Sequence, residues 1–217
     1  MLIMIGFVMI DPLGSERLRK ILQNRRPKII GIERSPDESV EDEIKEMVTE
    51  SIRILLSKML ADYNEESRKN AEQVFSKIKE NIGFDEDIVR EYAEEYNAEV
   101  VPLENSIERF VFISEMHKRA RRLAGVKEGS RALEFSIEQF QKSIDDTYYN
   151  ESLVLRALIM EPPLRKRSEY MAKRVIAKGC DATVTGFAHT VDFPGTLYRF
   201  LRSRSPERMP LPRGDAL

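Results

Sequence analysis

Hydrophobic positions change their spacing several times along the chain, and each change marks an element. Leu2 to Met9 is a continuous apolar run of strand length and reads as a buried strand. The DPLGS stretch, Asp11 to Ser15, breaks it with Pro and Gly, and Ser15 is placed to cap a helix that continues through Leu22. Pro27 stops that helix, and Lys28 to Glu33 (KIIGIE) is a second apolar run that ends in an acid. Strand, helix and strand within about thirty residues is the size of a right-handed βαβ unit with parallel strands.

From Asp37 to Asn97 the period turns helical. Val40, Ile44, Met47, Val48, Ile52, Leu55, Leu56 and Met59 form one apolar stripe. Val74, Phe75, Ile78 and Ile82 continue the pattern on a second helix, and Ile88, Val89, Tyr92 and Tyr96 on a third. Gly83 with Asp85 to Asp87 is the stop and restart between the last two. Ala98 to Leu103 reads as a third strand ending at Glu104. Further helices are expected up to Lys178, broken near Gly125, Gly129 and the Pro162 and Pro163 pair. Ala182 to Thr185 is a fourth strand running into Gly186 to His189 (GFAH), and Pro194 to Leu201 a closing helix. The expected fold class is α/β, a mostly parallel central sheet with flanking helices and a large helical insertion at about 37–97. One domain is expected over 1–202, with 203–217 as an extended or disordered tail.

Composition narrows the class without naming a function. With 41% hydrophobic and 33% charged residues in 217, there is material for a packed core under a charged surface. Thirty-five basic against 37 acidic residues give a formal charge of −2, so no global field draws nucleic acid or an anionic membrane. The basic stretches Lys118 to Arg122 and Arg199 to Arg208 lack interleaved aromatics and read as a solvated face and a loose tail. The single Cys180 forms no internal disulfide, and two histidines build no His-rich zinc cluster; a reducing cytosol is the expected compartment. Met1 to Ile10 has no basic start or small-residue cleavage site and is too short to span a bilayer. The stripe from Val40 to Met59 is core, or if wide a dimer surface, so a homo-oligomer stays open.

In an open parallel sheet, ligands bind outside the carboxyl ends of the strands. Those ends carry Asp11, Glu33, Glu104 and His189. Three carboxylates and an imidazole are the usual ligands of a divalent cation, although acids at strand ends also cap helices or face water. Gly186 lets the backbone approach a ligand beneath His189. His117, in the basic stretch HKRARR, reads as a solvated helix residue.

Several such signals fall in one order. A GxxH-like turn at Gly6 to Met9, the second strand PKIIGIE (Pro27 to Glu33), the helix start with Arg167, Tyr170, Met171 and Ala172, and the strand leading to GFAH together resemble the TraB/Tiki superfamily, which includes pheromone-shutdown and ChaN-like proteins. The resemblance covers the first thirty-odd and last fifty-odd positions. It implies an α/β core with paired GxxH turns flanking a pocket and, for Tiki-like members, metal-dependent peptidase activity. Gly6, Glu33, Arg167, Gly186 and His189 match the motifs, whereas Met9 stands at the first histidine, and a thioether is a poor ligand for Mn, Co or Zn. Asp11, two residues on, would compensate if the turn aims it inward.

Glu33, His189 and Asp11 are therefore the expected metal ligands, Glu33, Arg167 and His189 the catalytic group, and Gly6, Met9, Asp11, Glu104 and Gly186 the pocket. Arg167 would stabilise developing negative charge, with surface ion pairing beside Lys166 and Glu169 as its other reading. Two functions stand. One is a cytosolic metal-dependent hydrolase acting on a peptide or small molecule, without nucleic acid or a membrane span. The other is a non-catalytic binding or signalling member that lost a ligand at Met9.

Overall fold

The computed structural model describes residues 1–8, 11–61, 64–80, 82–124, 137–150 and 163–211. The four expected strands are present as β1 (Ile3–Phe7), β2 (Ile29–Ile32), β3 (Glu99–Pro102) and β4 (Ala182–Gly186). A fifth, β5 (Glu207–Pro210), was not anticipated. They form one parallel sheet in the order β3-β2-β4-β1-β5. The last core strand thus enters between the first two, which brings the carboxyl ends of β1, β2 and β4 side by side.

Side chains alternate across this sheet with the period of two that a strand imposes. Ile3, Ile5 and Phe7 of β1, Ile30 and Ile32 of β2, and Ala182 and Val184 of β4 face one helical layer. That layer is α1 (Gly14–Arg25), α4 (Phe84–Tyr96) and α6 (Ile137–Tyr149), which contribute Leu18, Leu22, Val89 and Tyr148. Leu2 and Met4 face the other layer, α7 (Pro163–Lys178) and α8 (Leu197–Leu201), through Met171, Val175, Leu197 and Leu201. Burial on both faces explains why β1 reads as an unbroken apolar run rather than an alternating one. Gly31 is where β2 meets Leu103 most closely, since a Cβ there would lie 2.8 Å from a Leu103 methyl.

The segment expected as one helical insertion divides into two roles. Only α2 (Glu38–Ala61) and α3 (Glu65–Glu80) extend away from the sheet; α4 packs against α1 in the sheet's own layer. Helix α5 (Ser106–Ala124), from the other side of β3, lies along α2. The apolar stripe of α2 is therefore covered in part by α5, and Val48 and Ile52 pack against Val74, Ile78 and Ile82. Leu55, Leu56 and Met59 lie outside the residues whose side chains are described.

Two local expectations change. Ser15 does not cap α1; the turn is closed by Asp11, whose Oδ1 accepts the Leu13 N–H at 2.9 Å. The arm expected from residue 203 is extended, but it is sheet rather than loose tail, because Glu207 to Pro210 hydrogen-bonds along β1 and Leu211 is fully buried behind it. The domain therefore continues past 202. Asn97 closes α4 in the left-handed region (φ 52°) and directs the chain into β3. No helix among the described residues is long and apolar enough to cross a membrane.

Candidate functional site

Three adjacent strands, β3, β2 and β4, each deliver one polar group past the carboxyl end. Glu33 follows β2 directly, Glu104 comes two residues after β3, and β4 runs into a 3₁₀ turn, Phe187–His189, that carries the imidazole. The first turns of α7 supply Arg167 and Ser168 from the adjoining layer. Gly6 makes this turn placement possible, since a Cβ on β1 there would lie 2.7 Å from Thr190 Oγ1 and 2.8 Å from the Phe187 ring. Gly6 is thus a packing position beneath the turn.

Arg167 lies between the two carboxylates. Its Nε donates to both oxygens of Glu104 at 3.1 and 3.0 Å, and its Nη2 donates to Glu104 Oε1 at 2.8 Å and Glu33 Oε1 at 2.6 Å. The Phe112 ring of α5 closes one face of the guanidinium at 4.2 Å. Arg167 and Glu104 are 3% and 1% exposed, so the ion pair has been taken out of water almost completely. The surface reading of Arg167 is thereby excluded. Burial alone disfavours its charge, and Glu104 and Glu33 outweigh that.

Glu33 is the most connected acid. Its Oε2 accepts the Gly186 N–H at 2.6 Å, and its Oε1 lies 3.5 Å from His189 Nε2 and 3.7 Å from an Arg109 nitrogen. Burial pushes its pKa up, but His189, Arg167 and Arg109 together hold it well below the usual carboxylate range. The other imidazole nitrogen, His189 Nδ1, shares a hydrogen bond of 2.9 Å with Ser168 Oγ, which fixes the ring plane. One ligand atom from each of Glu33, Glu104 and His189 lies within 4.8 Å of the others.

Glu33 and Gly186 also border a cavity of about 300 Å³ between β2, α2, α4 and α5. Arg109 on its wall is held by Glu41 through two bonds of 2.7 and 3.1 Å, and Arg34 by Glu86. Asp85, in the first turn of α4, is half-buried there. Its pKa is pushed up to about 7 by burial first, against the pull of Arg109 and with the help of Glu33 and Glu86.

Of the expected site residues, Glu33, Glu104, Arg167, Gly186 and His189 come together. Asp11 does not join them. Its Oδ2 accepts from Arg17 at 3.0 Å and from the Tyr148 hydroxyl at 2.9 Å, and Tyr148 in turn accepts the Val8 N–H. That carboxylate is fully buried in a structural network of β1, α1 and α6 and lies apart from the Glu33, Glu104 and His189 cluster. Met9 lies outside the described residues. Glu169 points to the surface and pairs with Lys173, and His117 is hydrogen-bonded to Ser51 across α2 and α5 rather than solvated.

Ser168, Arg109, Phe112 and Asp85 were not anticipated. Asp85 was visible only as part of a helix restart. Ser168 and Arg109 carry no local signal, because what places them is the rotation of α7 and α5 against the sheet.

No protein-family model matches the chain, and neither a curated protein nor a solved structure matches it.

Proposed function

We propose that this protein is a metal-dependent hydrolase whose centre is Glu33, Glu104 and His189, acting on a small molecule or a single peptide side chain seated in the cavity beside Glu33. The TraB/Tiki resemblance and a cytosolic setting belong to the same reading. The observation that carries it is the convergence of two carboxylates and an imidazole at the carboxyl edge of the sheet. Two carboxylates and one imidazole are a donor set that suits Mn, Co or Zn. Neighbouring ligands of such an ion stand about 3–3.5 Å apart; Glu33 Oε1 and His189 Nε2 are already 3.5 Å apart, and Glu104, within 4.8 Å of both, would have to close on them.

Such an ion would polarise a carbonyl and make a water nucleophilic near neutral pH. The chain's own residues do the rest. Ser168 holds His189 in orientation, and Glu33, facing both cluster and cavity, joins the ion's place to the substrate's, its lowered pKa suiting a ligand rather than a proton acceptor. Arg167 already neutralises one of the two carboxylate charges, so an added dication either displaces it or leaves it to stabilise an anionic transition state.

Calorimetric titration of MnCl₂, CoCl₂ and ZnCl₂ tests this. Wild type should bind one ion, and His189→Ala and Glu104→Gln should each lose at least tenfold in affinity, with hydrolysis of unstructured peptides or small esters falling in parallel. Equal, negligible binding by all three proteins would sink the reading. It would favour the second one, a binding module in which Arg167 is itself the resident cation, which the four Arg167 hydrogen bonds to Glu33 and Glu104 support.

A further inference from the structure

The cavity wall is polar and apolar in unequal ways. Phe7, Ile44, Val48, Ile82 and Ile113 form its apolar part. Its ionisable part holds six acids (Glu33, Glu41, Asp42, Asp85, Glu86 and Asp87) against three bases (Arg34, Lys45 and Arg109). Most of these charges already have partners. Arg109 is clamped by Glu41, Arg34 by Glu86, and Glu33 by Arg167. Asp42, Lys45 and Asp87 are exposed at the rim and keep their hydration. Asp85 differs from all of these: it is half-buried against the cavity, and among the described residues no Lys, Arg or His stands within ion-pair distance of it.

We propose that this cavity takes the ammonium group of a compact organic cation, with Asp85 as its counter-ion and Phe7, Ile44, Val48 and Ile113 around its apolar body. The proposal rests on that part of the functional reading which puts the substrate in the cavity, and it names the substrate's class.

Charge logic selects the cation. Among the described residues only Lys45 of the cavity's bases, exposed at the rim, is without a carboxylate partner; any deeper donor for an anionic ligand would come from breaking the bidentate Arg109–Glu41 pair or the Arg34–Glu86 pair, and either break strands a half-buried carboxylate. An ammonium ion needs no such break, because among the described residues Asp85 has no ion-pair partner, and Glu33 and Glu86 offset part of the positive potential that Arg109 puts on it. A dication is a poor fit at Asp85, which is not part of the Glu33, Glu104 and His189 cluster and offers only one carboxylate. Size limits the body: about 300 Å³ is the low end for ligand pockets and admits roughly ten heavy atoms.

The test uses benzylamine, benzyl alcohol and benzoate as probes, titrated calorimetrically into the full-length protein at pH 8 with EDTA present. Benzylamine should bind at least tenfold more tightly than benzyl alcohol, and benzoate not at all. Asp85→Asn should lower benzylamine affinity about tenfold and leave benzyl alcohol unchanged, while Asp87→Asn at the rim should change neither. Val48→Phe, which fills the cavity without touching its charge, should abolish binding of both probes and covers the case in which Asp85→Asn folds poorly. Equal binding of amine and alcohol, tighter binding of benzoate, no binding of any probe, or unaltered amine affinity in Asp85→Asn would each overturn the proposal. Because EDTA removes metal, amine binding with failed metal titration sinks only the hydrolase reading, and metal binding without amine binding sinks only this one.

Discussion

Arg167 is buried with two carboxylates around it, and its energetics follow from that company. Removing one partner of a buried ion pair costs about 3–5 kcal/mol, because the remaining charge stays desolvated. Among the described residues Glu104 makes its side-chain bonds to Arg167 alone, so Glu104→Gln should destabilise the fold by about 3 kcal/mol in urea titrations, whatever it does to ligand binding. A loss under about 1 kcal/mol would mean that water reaches the cluster. Asp85 behaves in the opposite sense. Its folded pKa, about 7, stands above that of an unfolded Asp. The folded state therefore holds the proton more tightly, and the stabilisation is full below about pH 4 and lost as pH rises through about 7. Asp85→Asn should accordingly match wild type near pH 4 and exceed its stability by about 1–2 kcal/mol at pH 8, allowing for partial solvent screening. A variant no more stable than wild type at pH 8 would show that Asp85 is paired or solvated. At this scale the sequence was partly readable. Glu33 and Glu104 announce themselves as acids closing apolar runs, and so does Asp11. What separates Asp11 from the others is Tyr148, 137 residues away, and no local pattern records that contact.

Among the elements, the parallel strands and most helices were legible because a two-sided sheet demands apolar runs and each helix layer demands a period near four. Strand β5 was not legible, and the reason is physical. Glu207 to Pro210 (ERMP) lies at the sheet's edge with mostly half-exposed side chains, so nothing in its composition distinguishes it from a tail. Its backbone pairing with β1 and the buried Leu211 still contribute to the fold. Deleting the chain from Pro206 onward should therefore lower the melting temperature by at least several degrees and expose β1 as a new edge. A thermal melt unchanged by the truncation would return this stretch to the status of a tail. The division of the helical segment was equally hidden, since the stripe of α4 looks like those of α2 and α3, and only its packing against α1 shows which layer it joins.

Across the whole molecule, the polar cluster and the cavity of the described residues lie at the carboxyl edge of the sheet. Cys180 precedes β4 at the amino end, 4% exposed, with burial pushing its thiol up to about 11. Cys180→Ser should leave metal and amine binding unchanged, and the wild-type thiol should react with disulfide reagents only as fast as the protein unfolds. Rapid labelling of the native protein would contradict this placement. The central claim is that Glu33, Glu104 and His189 hold a divalent ion, and the most direct measurement is anomalous diffraction from crystals grown with MnCl₂. The expected result is one strong anomalous peak about 2.2 Å from a carboxylate oxygen of Glu33, one of Glu104 and Nε2 of His189. A fully bonded Arg167 between the two carboxylates with no peak in the cluster, at saturating manganese, would contradict it.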